Sequence, residues 1–457
     1  MAKRAGTSKK TLNAENLIGL GPARLAEILL QVAGGDANLK RRLRLELASS
    51  VGAPDLALEI DKRLAALAGS RTRVSWRKRP QLIDDLRVHL RMITDHLAPL
   101  DPRLAFDRMV LWFDLYPRLA ARVKDPKGEL SAFFFDAAPD LAAVAGLAQT
   151  DHVSDVLFEA AQTRSSHWVG WIGRAADELP RPVAQMLLER LTCDRPPPVG
   201  LTALLVRKLA DRAGDVRAWI SAIAPGDRQK PDVGAQIAER LVAVNAIAEA
   251  RAALDSSRPR LARTSRWAQR IAPPAAEVSD AWEKAEIAVL DAEGRADAAQ
   301  AARWAAFERT LSDAYLRDFT SRLGDFEDVE ALDRAYAVAA SWGDATKGLA
   351  FLMQRLALRE AAEMAIARHA ELNGLAEQTA LWASRLAVRH PTAALALVRA
   401  EARALVKQGP EHDARVRELA SEAAVLAEAA DARLPSHADF IDELEALARS
   451  SPRRSRR

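Results

Sequence analysis

The sequence predicts an all-α protein, specifically an α-solenoid of antiparallel helix pairs that contains no β-sheet. Helix-forming residues such as alanine, leucine, arginine and glutamate are prominent, and the apolar–polar alternation typical of strands is almost absent. Positions suited to ending or capping helices recur at intervals of 33, 32, 30 and 35 residues, at Ser279, Ser312, Asp344, Gly374 and Gly409. Tetratricopeptide repeats, which are stacked helix pairs, have a similar period of about 34 residues. An irregular helical bundle is the alternative interpretation.

The repeat pattern is clearest in residues 291–328. Gly294 is suited to the left-handed conformation that ends a helix. Trp304 and Phe307, three residues apart, fall on one face of the next helix, and Leu311 completes this candidate repeat core. If the Trp304 ring is buried between layers, Trp304→Ala is expected to reduce the free energy of unfolding by about 3–5 kcal/mol.

Earlier parts of the chain also predict consecutive helices. Pro22 is suited to the first turn of a helix, whose predicted buried face carries Leu25, Ile28, Leu29 and Val32. Further helices are predicted over residues 81–97 and 233–254, because their apolar residues recur with helical spacing. Short breaks between helices of this length favour antiparallel neighbours.

Charge and proline distribution divide the chain into five parts. Pro259 and the pair Pro273-Pro274 mark the seam before the C-terminal repeats. The predicted parts are a disordered basic arm at 1–11, an N-terminal helical domain at 12–150, a middle helical region at 151–274, tetratricopeptide-like repeats at 275–449 and a disordered arginine-rich tail at 450–457.

A basic stretch follows the third predicted long helix. Its five cations surround one aromatic residue, and no acid occurs nearby until Asp84; the candidate binding residues are Arg71, Arg73, Trp76, Arg77, Lys78 and Arg79. Such a loop is suited to holding a phosphate group, a nucleic acid or an acidic peptide. The alternative is a basic linker in which Trp76 packs into the core and the long cations lie over apolar surface.

The formal net charge of +4 conceals an uneven distribution. Four cations lie within residues 1–10 and five arginines within 449–457, so subtracting these nine leaves −5 for the rest of the chain. A mildly acidic body argues against a nucleic-acid-binding surface that covers it. The tails are expected to be solvated, with at most weak contact to anionic polymers.

The composition predicts a cytoplasmic protein without a membrane partner. Cys193 is the only cysteine, so neither an internal disulfide nor a four-cysteine zinc site is available. No apolar segment follows the basic N-terminus, and the apolar runs are too short to span a bilayer.

Sequence motifs for chemistry are missing. We find no phosphate-binding P-loop, no HExxH, no GxSxG and no DxDxDG element. The acidic cluster at 325–330 lies at a predicted helix start, where carboxylates interact favourably with the helix dipole without a metal. We therefore predict no cofactor, no metal site and no catalytic residue.

Several segments carry a family resemblance: RLAEILLQVA, LKRRLRLELA, EIDKRLAAL, the stretch with Arg71 and Trp76, LAPLDPRLAFDRM, AEGRADAAQAARWAAFERTLS, LRDF and DFED. On these segments the chain resembles a bacterial family of all-helical proteins of unknown function, over nearly its full length outside the tails. The resemblance implies an all-helical fold and brings no catalytic residues. The C-terminal segments are also similar to helical regions that accompany SWIM-type zinc fingers, but one cysteine cannot supply the ligands of such a finger.

Three functions are consistent with these features. The first is a non-enzymatic helical-repeat scaffold that binds another protein or a peptide, because solenoids present extended concave surfaces. The second is association with nucleic acid through residues 71–79 and the basic tails. The third is an enzyme whose site is assembled from residues distant in sequence.

Overall fold

The structure is a computed structural model that describes residues 11–193, 195–259, 279–372 and 378–450. Within these ranges the fold is all-helical, as predicted, and strand-type pairing occurs only at one isolated bridge, between Val74 and Val123. The chain divides into two compact units, Met1–Val233 (unit 1) and Gly234–Arg457 (unit 2). The five-part division at 150/151 and 274/275 remains a prediction, and the second boundary lies outside the described residues.

Unit 1 consists of helices joined by short connections. They are α1 Ala14–Ile18, α2 Pro22–Gly35, α3 Ala37–Val51, α4 Ala53–Gly69, α5 Arg79–Arg91, the π-helical segment Met92–Leu97, α6 Ala98–Leu100, α7 Pro102–Phe113, α8 Tyr116–Ala120, α9 Glu129–Asp136, α10 Ala138–Ala145, α11 Thr150–Thr163, α12 His167–Ala175, α13 Arg181–Thr192, α14 Gly200–Ala213, α15 Val216–Ser221 and the 3-10 turn Asp227–Gln229.

Helix α16, Pro231–Ala243, begins at the end of unit 1 and continues into unit 2. The remaining elements are α17 Ile247–Ser256, α18 Asp280–Ala292, α19 Ala296–Thr310, α20 Asp313–Thr320, α21 Glu327–Ala340, α22 Ala345–Gln354, α23 Leu358–Ala367, α24 Gln378–Ala387, α25 Pro391–Gln408, the 3-10 turn Pro410–His412, α26 Asp413–Ala429 and α27 His437–Ser450. Across the described ranges, none of the helices combines the length and the apolar character that a bilayer span requires.

Several predicted helix ends coincide with observed ones. Gly294 has a φ of 73°, the left-handed conformation that a helix end favours. Ser279 and Asp344 both accept backbone N–H hydrogen bonds in the first turn of the following helix. Ser312 precedes α20 but its side chain makes no such bond. The cap predicted at Gly374 lies outside the described residues.

Three local expectations from the sequence need correction. Leu29 and Val32 on α2 are 43% and 57% exposed, because helical periodicity identifies an apolar face without showing that a neighbour covers it. The helix predicted over 233–254 is broken between α16 and α17, where Asn245 adopts a left-handed φ of 61°. The helix predicted over 81–97 begins at Arg79 and changes to π-helix at Met92.

The core of unit 1 contains a connected set of aromatic rings from α7, α9 and α12. Trp112 stacks on Phe134 with ring centroids 4.4 Å apart, and Phe113 packs against Trp171 at 4.9 Å. Trp112 also donates its indole N–H to the backbone oxygen of Leu86, at 3.2 Å. These contacts fix α9 relative to α5 and so shape the surface between the two helices.

The candidate repeat core lies in unit 2, with one difference from the expected arrangement. Phe307 is fully buried and Leu311 is 5% exposed. Trp304 is half-buried at the edge of this core, where its indole N–H bonds Glu308, at 2.6 Å. The neighbouring side chain that is fully buried is Arg303. Because Trp304 is only half-buried, Trp304→Ala is expected to lower the free energy of unfolding by less than the truncation of a fully buried tryptophan would.

Candidate functional site: a basic groove beside Trp76

The loop between α4 and α5 is held in place by backbone pairing with a distant segment. The N–H of Val74 donates to the oxygen of Arg122, and the N–H of Lys124 donates to the oxygen of Val74, each at 3.0 Å. This pairing places residues 124–127, which carry two lysines, beside the basic stretch 71–79. The two segments are about fifty positions apart, so their proximity is a product of the fold.

Two arginines near this loop have structural roles. Arg122 donates to the oxygens of Thr72 and Leu67, each at 3.0 Å, and Arg118 donates to the oxygen of Ala68 at 3.2 Å. Burial, and then the nearby Arg63 charge, lowers the pKa of Arg122. These guanidinium groups satisfy carbonyl oxygens at the end of α4 and in the loop.

Arg79, one of the six candidate binding residues, is buried. Its guanidinium lies 2.7 Å from Glu129 and 3.3 Å from Asp125, and it also donates to the oxygen of Lys124 at 3.1 Å. A cation with this many partners anchors the second segment to the start of α5. The single positive charge of Arg79 offsets one of the two acids, and the Glu129 side chain remains 45% exposed.

The remaining candidate residues lie on the surface. Trp76 is 55% exposed, and the Arg77 guanidinium lies 5.2 Å from the centroid of its ring. The interpretation in which Trp76 packs into the core is therefore wrong. Six exposed cations make no ion pair within the described part of the chain, and we call them the basic patch: Arg71, Arg73, Arg77, Lys78, Lys124 and Lys127.

A groove of about 680 Å³ opens beside the basic patch, and we call it the Trp76 groove. Its lining combines apolar faces with charge and consists of Trp76, Arg77, Arg79, Pro80, Lys124, Pro126, Lys127 and Glu129. A flat aromatic ring and two prolines provide contact area for an apolar group, and the cations provide attraction for an anion. The arrangement is therefore suited to a ligand that carries both an apolar group and a negative charge.

A second cluster in unit 1 surrounds His89. The ring is 1% exposed and its Nδ1 lies 2.7 Å from the backbone oxygen of Asp85, to which it donates. The Asp85 carboxylate in turn accepts from Arg63 Nε at 2.8 Å. Burial lowers the pKa of His89 below 6.5, against the opposing effect of Asp85. This cluster joins α4 to α5, the helix that carries one wall of the Trp76 groove.

The His89 environment predicts a pH dependence of stability. The pKa of His89 is lower in the folded chain than in the unfolded chain. As pH falls through 6.5, His89 therefore becomes protonated in the unfolded chain while it stays neutral in the folded chain, which favours unfolding. The free energy of unfolding should therefore fall from about pH 7.5 to 5, and His89→Gln should make that slope shallower by at most about 1.4 kcal/mol per pH unit. Urea titrations at several pH values measure this slope, and exposed His96 provides the control variant His96→Gln. An unchanged slope in His89→Gln would contradict the assignment.

Other candidate chemical groups remain separate in the structure. Over the described ranges, no three His, Cys, Asp or Glu side chains are placed to hold a metal ion. Cys193 is exposed at the end of α13. Phe307 and Leu311 contribute to the core of unit 2. The sequence identified the four basic-patch cations within 71–79 and missed Lys124 and Lys127.

No curated protein and no solved structure is significantly similar to the chain. A family profile matches residues 7–199 and 201–452, which is nearly the whole chain. The resemblance to a family of unknown function is thereby confirmed. The chain belongs to DUF6880, a family of unknown function.

Proposed function

We propose that the protein is a non-enzymatic cytoplasmic scaffold that binds an acidic segment of a partner protein in the Trp76 groove. The observation that carries this proposal is the exposed Trp76 ring amid six cations without acidic partners. Protein interfaces commonly combine a tryptophan anchor with arginine and a charged rim. The rim cations would raise the association rate, while the ring and the prolines hold an apolar side chain of the segment.

The helical-repeat scaffold is part of the same proposal. In unit 2, α18 packs on α19, α19 on α20, α21 on α22 and α22 on α23. Contacts between successive helices are typical of solenoids, in which each repeat packs mainly on its neighbours. These contacts support the antiparallel, tetratricopeptide-like arrangement.

Single-stranded nucleic acid is the second candidate ligand, because an exposed aromatic ring beside cations is suited to base stacking. The course of the groove favours protein instead. Beyond Pro80 the next concavity is lined by Asp84, Glu129 and Asp136, with Arg87 as its cation. Since Arg87 already pairs with Asp84 at 2.5 Å, a phosphate backbone continuing along this path would meet negative charge.

The test is a titration of the full-length protein into a fluorescently labelled peptide of glutamate and leucine. We expect binding that weakens as salt is raised, because exposed ionic contacts are screened. Trp76→Ala and the double variant Arg77→Glu/Lys127→Glu should each weaken binding about tenfold or more, which corresponds to about 1.4 kcal/mol. Arg44→Glu on α3 is the matched control, because Arg44 is exposed, makes no described ion pair and lies outside the groove lining.

A single-stranded oligonucleotide of equal length is titrated in parallel. If the oligonucleotide binds more tightly than the peptide and this binding depends on Trp76, the ligand of the groove is nucleic acid and not an acidic protein segment. Peptide binding that is equal in wild-type protein and the groove variants would contradict the proposed function.

A further inference from the structure

The Trp76 groove is the first part of a longer depression between α5 and α9. A second concavity of about 420 Å³ shares Pro80 and Glu129 with it. A third, of about 350 Å³, shares Arg87, Phe133 and Asp136 with the second. Because each shares lining residues with the next, the three form one continuous surface, which we call the α5–α9 groove.

One wall of the α5–α9 groove follows a single face of a helix. The lining positions on α5 and the π-helical segment recur every three or four residues, at Pro80, Ile83, Asp84, Arg87, Leu90, Arg91, Thr94 and Asp95. From Pro80 to Thr94 this face is about 20 Å long. That length matches about four turns of a second helix packed alongside.

The floor of the groove is apolar along its length. Ile83 and Leu90 are buried beneath it, and Phe133 is half-buried with its ring centroid 5.6 Å from that of Trp112. The Arg87 guanidinium lies 5.3 Å from the Phe133 centroid, so its stem also covers this floor. The floor is thus suited to a row of aliphatic side chains.

The two ends of the groove have opposite charge. Arg77, Lys124 and Lys127 of the basic patch line the Trp76 end, whereas the far end is lined by Asp95, Asp136 and Asp140. Asp95 and Asp136 are exposed, and Arg91 is the one lining cation there besides the Arg87 already paired with Asp84. Burial, and then the charges of Asp95 and Glu178, raises the pKa of Asp140. Asp95 and Asp136 are therefore the exposed acids that an approaching ligand meets at this end.

The walls of the groove favour a helical occupant. Within α5 and α9 the backbone N–H and C=O groups bond one another, so they offer no strand edge to an incoming chain. An extended peptide would bury backbone groups without partners along this floor, which is costly. A helix satisfies its own backbone and presents one apolar stripe, as in other helix-in-groove complexes.

We propose that the α5–α9 groove binds an amphipathic helix of a partner protein, with the N-terminal end of that helix at Trp76. Helices commonly carry acids in the first turn and cations in the last turn. In this orientation the acids face the basic patch and the cations face Asp95 and Asp136, while the apolar stripe packs on Ile83 and Phe133. This inference rests on the proposed function and specifies the form and direction of the acidic segment.

The test uses three labelled peptides of about 18 residues that share one leucine–alanine stripe. The forward peptide has glutamate in its first two turns and lysine in its last two, the reversed peptide has the opposite order, and the acidic peptide has glutamate throughout. Each is titrated with full-length wild-type protein, with Asp95→Lys/Asp136→Lys, with Arg77→Glu/Lys127→Glu and with the variant that combines all four substitutions. All four positions are exposed, and circular dichroism checks that each variant is folded.

For wild-type protein, we expect the forward peptide to bind about tenfold more tightly than the reversed peptide. Asp95→Lys/Asp136→Lys should bind the forward and reversed peptides with similar affinity and should still bind the acidic peptide. The combined variant should prefer the reversed peptide. That inversion is decisive, because the reversed peptide is intrinsically the poorer helix and peptide helicity alone cannot produce it.

The outcomes separate this inference from the proposed function. If the acidic peptide binds through Arg77 and Lys127 while the forward and reversed peptides bind equally, the oriented helix is overturned and the proposed function stands. If Arg77→Glu/Lys127→Glu changes the affinity of none of the three peptides, both are overturned. If the combined variant keeps the wild-type preference, the assigned direction is wrong.

Discussion

Replacing Arg303 with alanine is expected to lower the free energy of unfolding by about 3 kcal/mol. The side chain is 1% exposed, donates to Asp318 at 2.6 Å and to Gln300 at 3.3 Å, and also pairs with Asp291. It therefore links α18, α19 and α20. Its removal leaves a cavity and deprives Asp291 and Asp318 of a buried cation, while Arg322 still pairs with both carboxylates. Because Asp291 and Asp318 are 36% and 42% exposed, water recovers part of the loss.

The matched control is Arg317→Ala on α20. Arg317 also pairs with an aspartate, Asp313, at 2.7 Å, but its side chain is 69% exposed. Exposed pairs of this type contribute about 0.5 kcal/mol or less. Urea unfolding followed by circular dichroism compares the two variants. A loss in Arg303→Ala no greater than in Arg317→Ala would show that the buried contacts of Arg303 do not stabilise unit 2.

Phe307→Ala is expected to cost about 3–5 kcal/mol. The ring is fully buried in unit 2 and lies 5.6 Å, centroid to centroid, from Phe351 on α22. Truncation would leave a cavity between α19 and α22 that a close-packed core cannot easily close.

Trp304→Ala, three residues away, should cost about 1–2 kcal/mol. Trp304 packs against Phe307 at 5.4 Å and lies under the Arg334 guanidinium at 4.4 Å, but water reaches part of its ring. The same unfolding measurement compares both variants. A greater loss for Trp304→Ala than for Phe307→Ala would contradict the positions of these two rings.

The helical class was predictable because propensity and capping act locally. Gly294 and Asp344 each carry their structural signal within a few residues. Tertiary contacts carry no such signal. Arg303 lies among alanines and was not identified as a core residue, although Asp291 and Asp318 supply the charges that permit its burial. In the same way, the apolar face of α2 leaves Leu29 43% exposed within the described part of the chain.

Most of the basic patch, but not the two lysines from the second segment, was predictable from the sequence. The cluster of cations around Trp76 is visible in the sequence, but the structure separates their roles. Arg79 is buried because Glu129, fifty positions later, reaches it. Lys124 and Lys127 join the patch because Val74 pairs with a segment about fifty residues away. A local sequence pattern cannot predict contacts between residues about fifty positions apart.

The most direct measurement of the proposed function follows Trp76 itself. The protein has ten tryptophans, so fluorotryptophan labelling gives each ring its own ¹⁹F resonance, and Trp76→Phe assigns the one of interest. During titration with the glutamate–leucine peptide, we expect the Trp76 resonance to shift first and most, and the shift to reverse when salt is raised. A Trp76 resonance that stays in place while the peptide binds would show that the partner lies elsewhere on the protein.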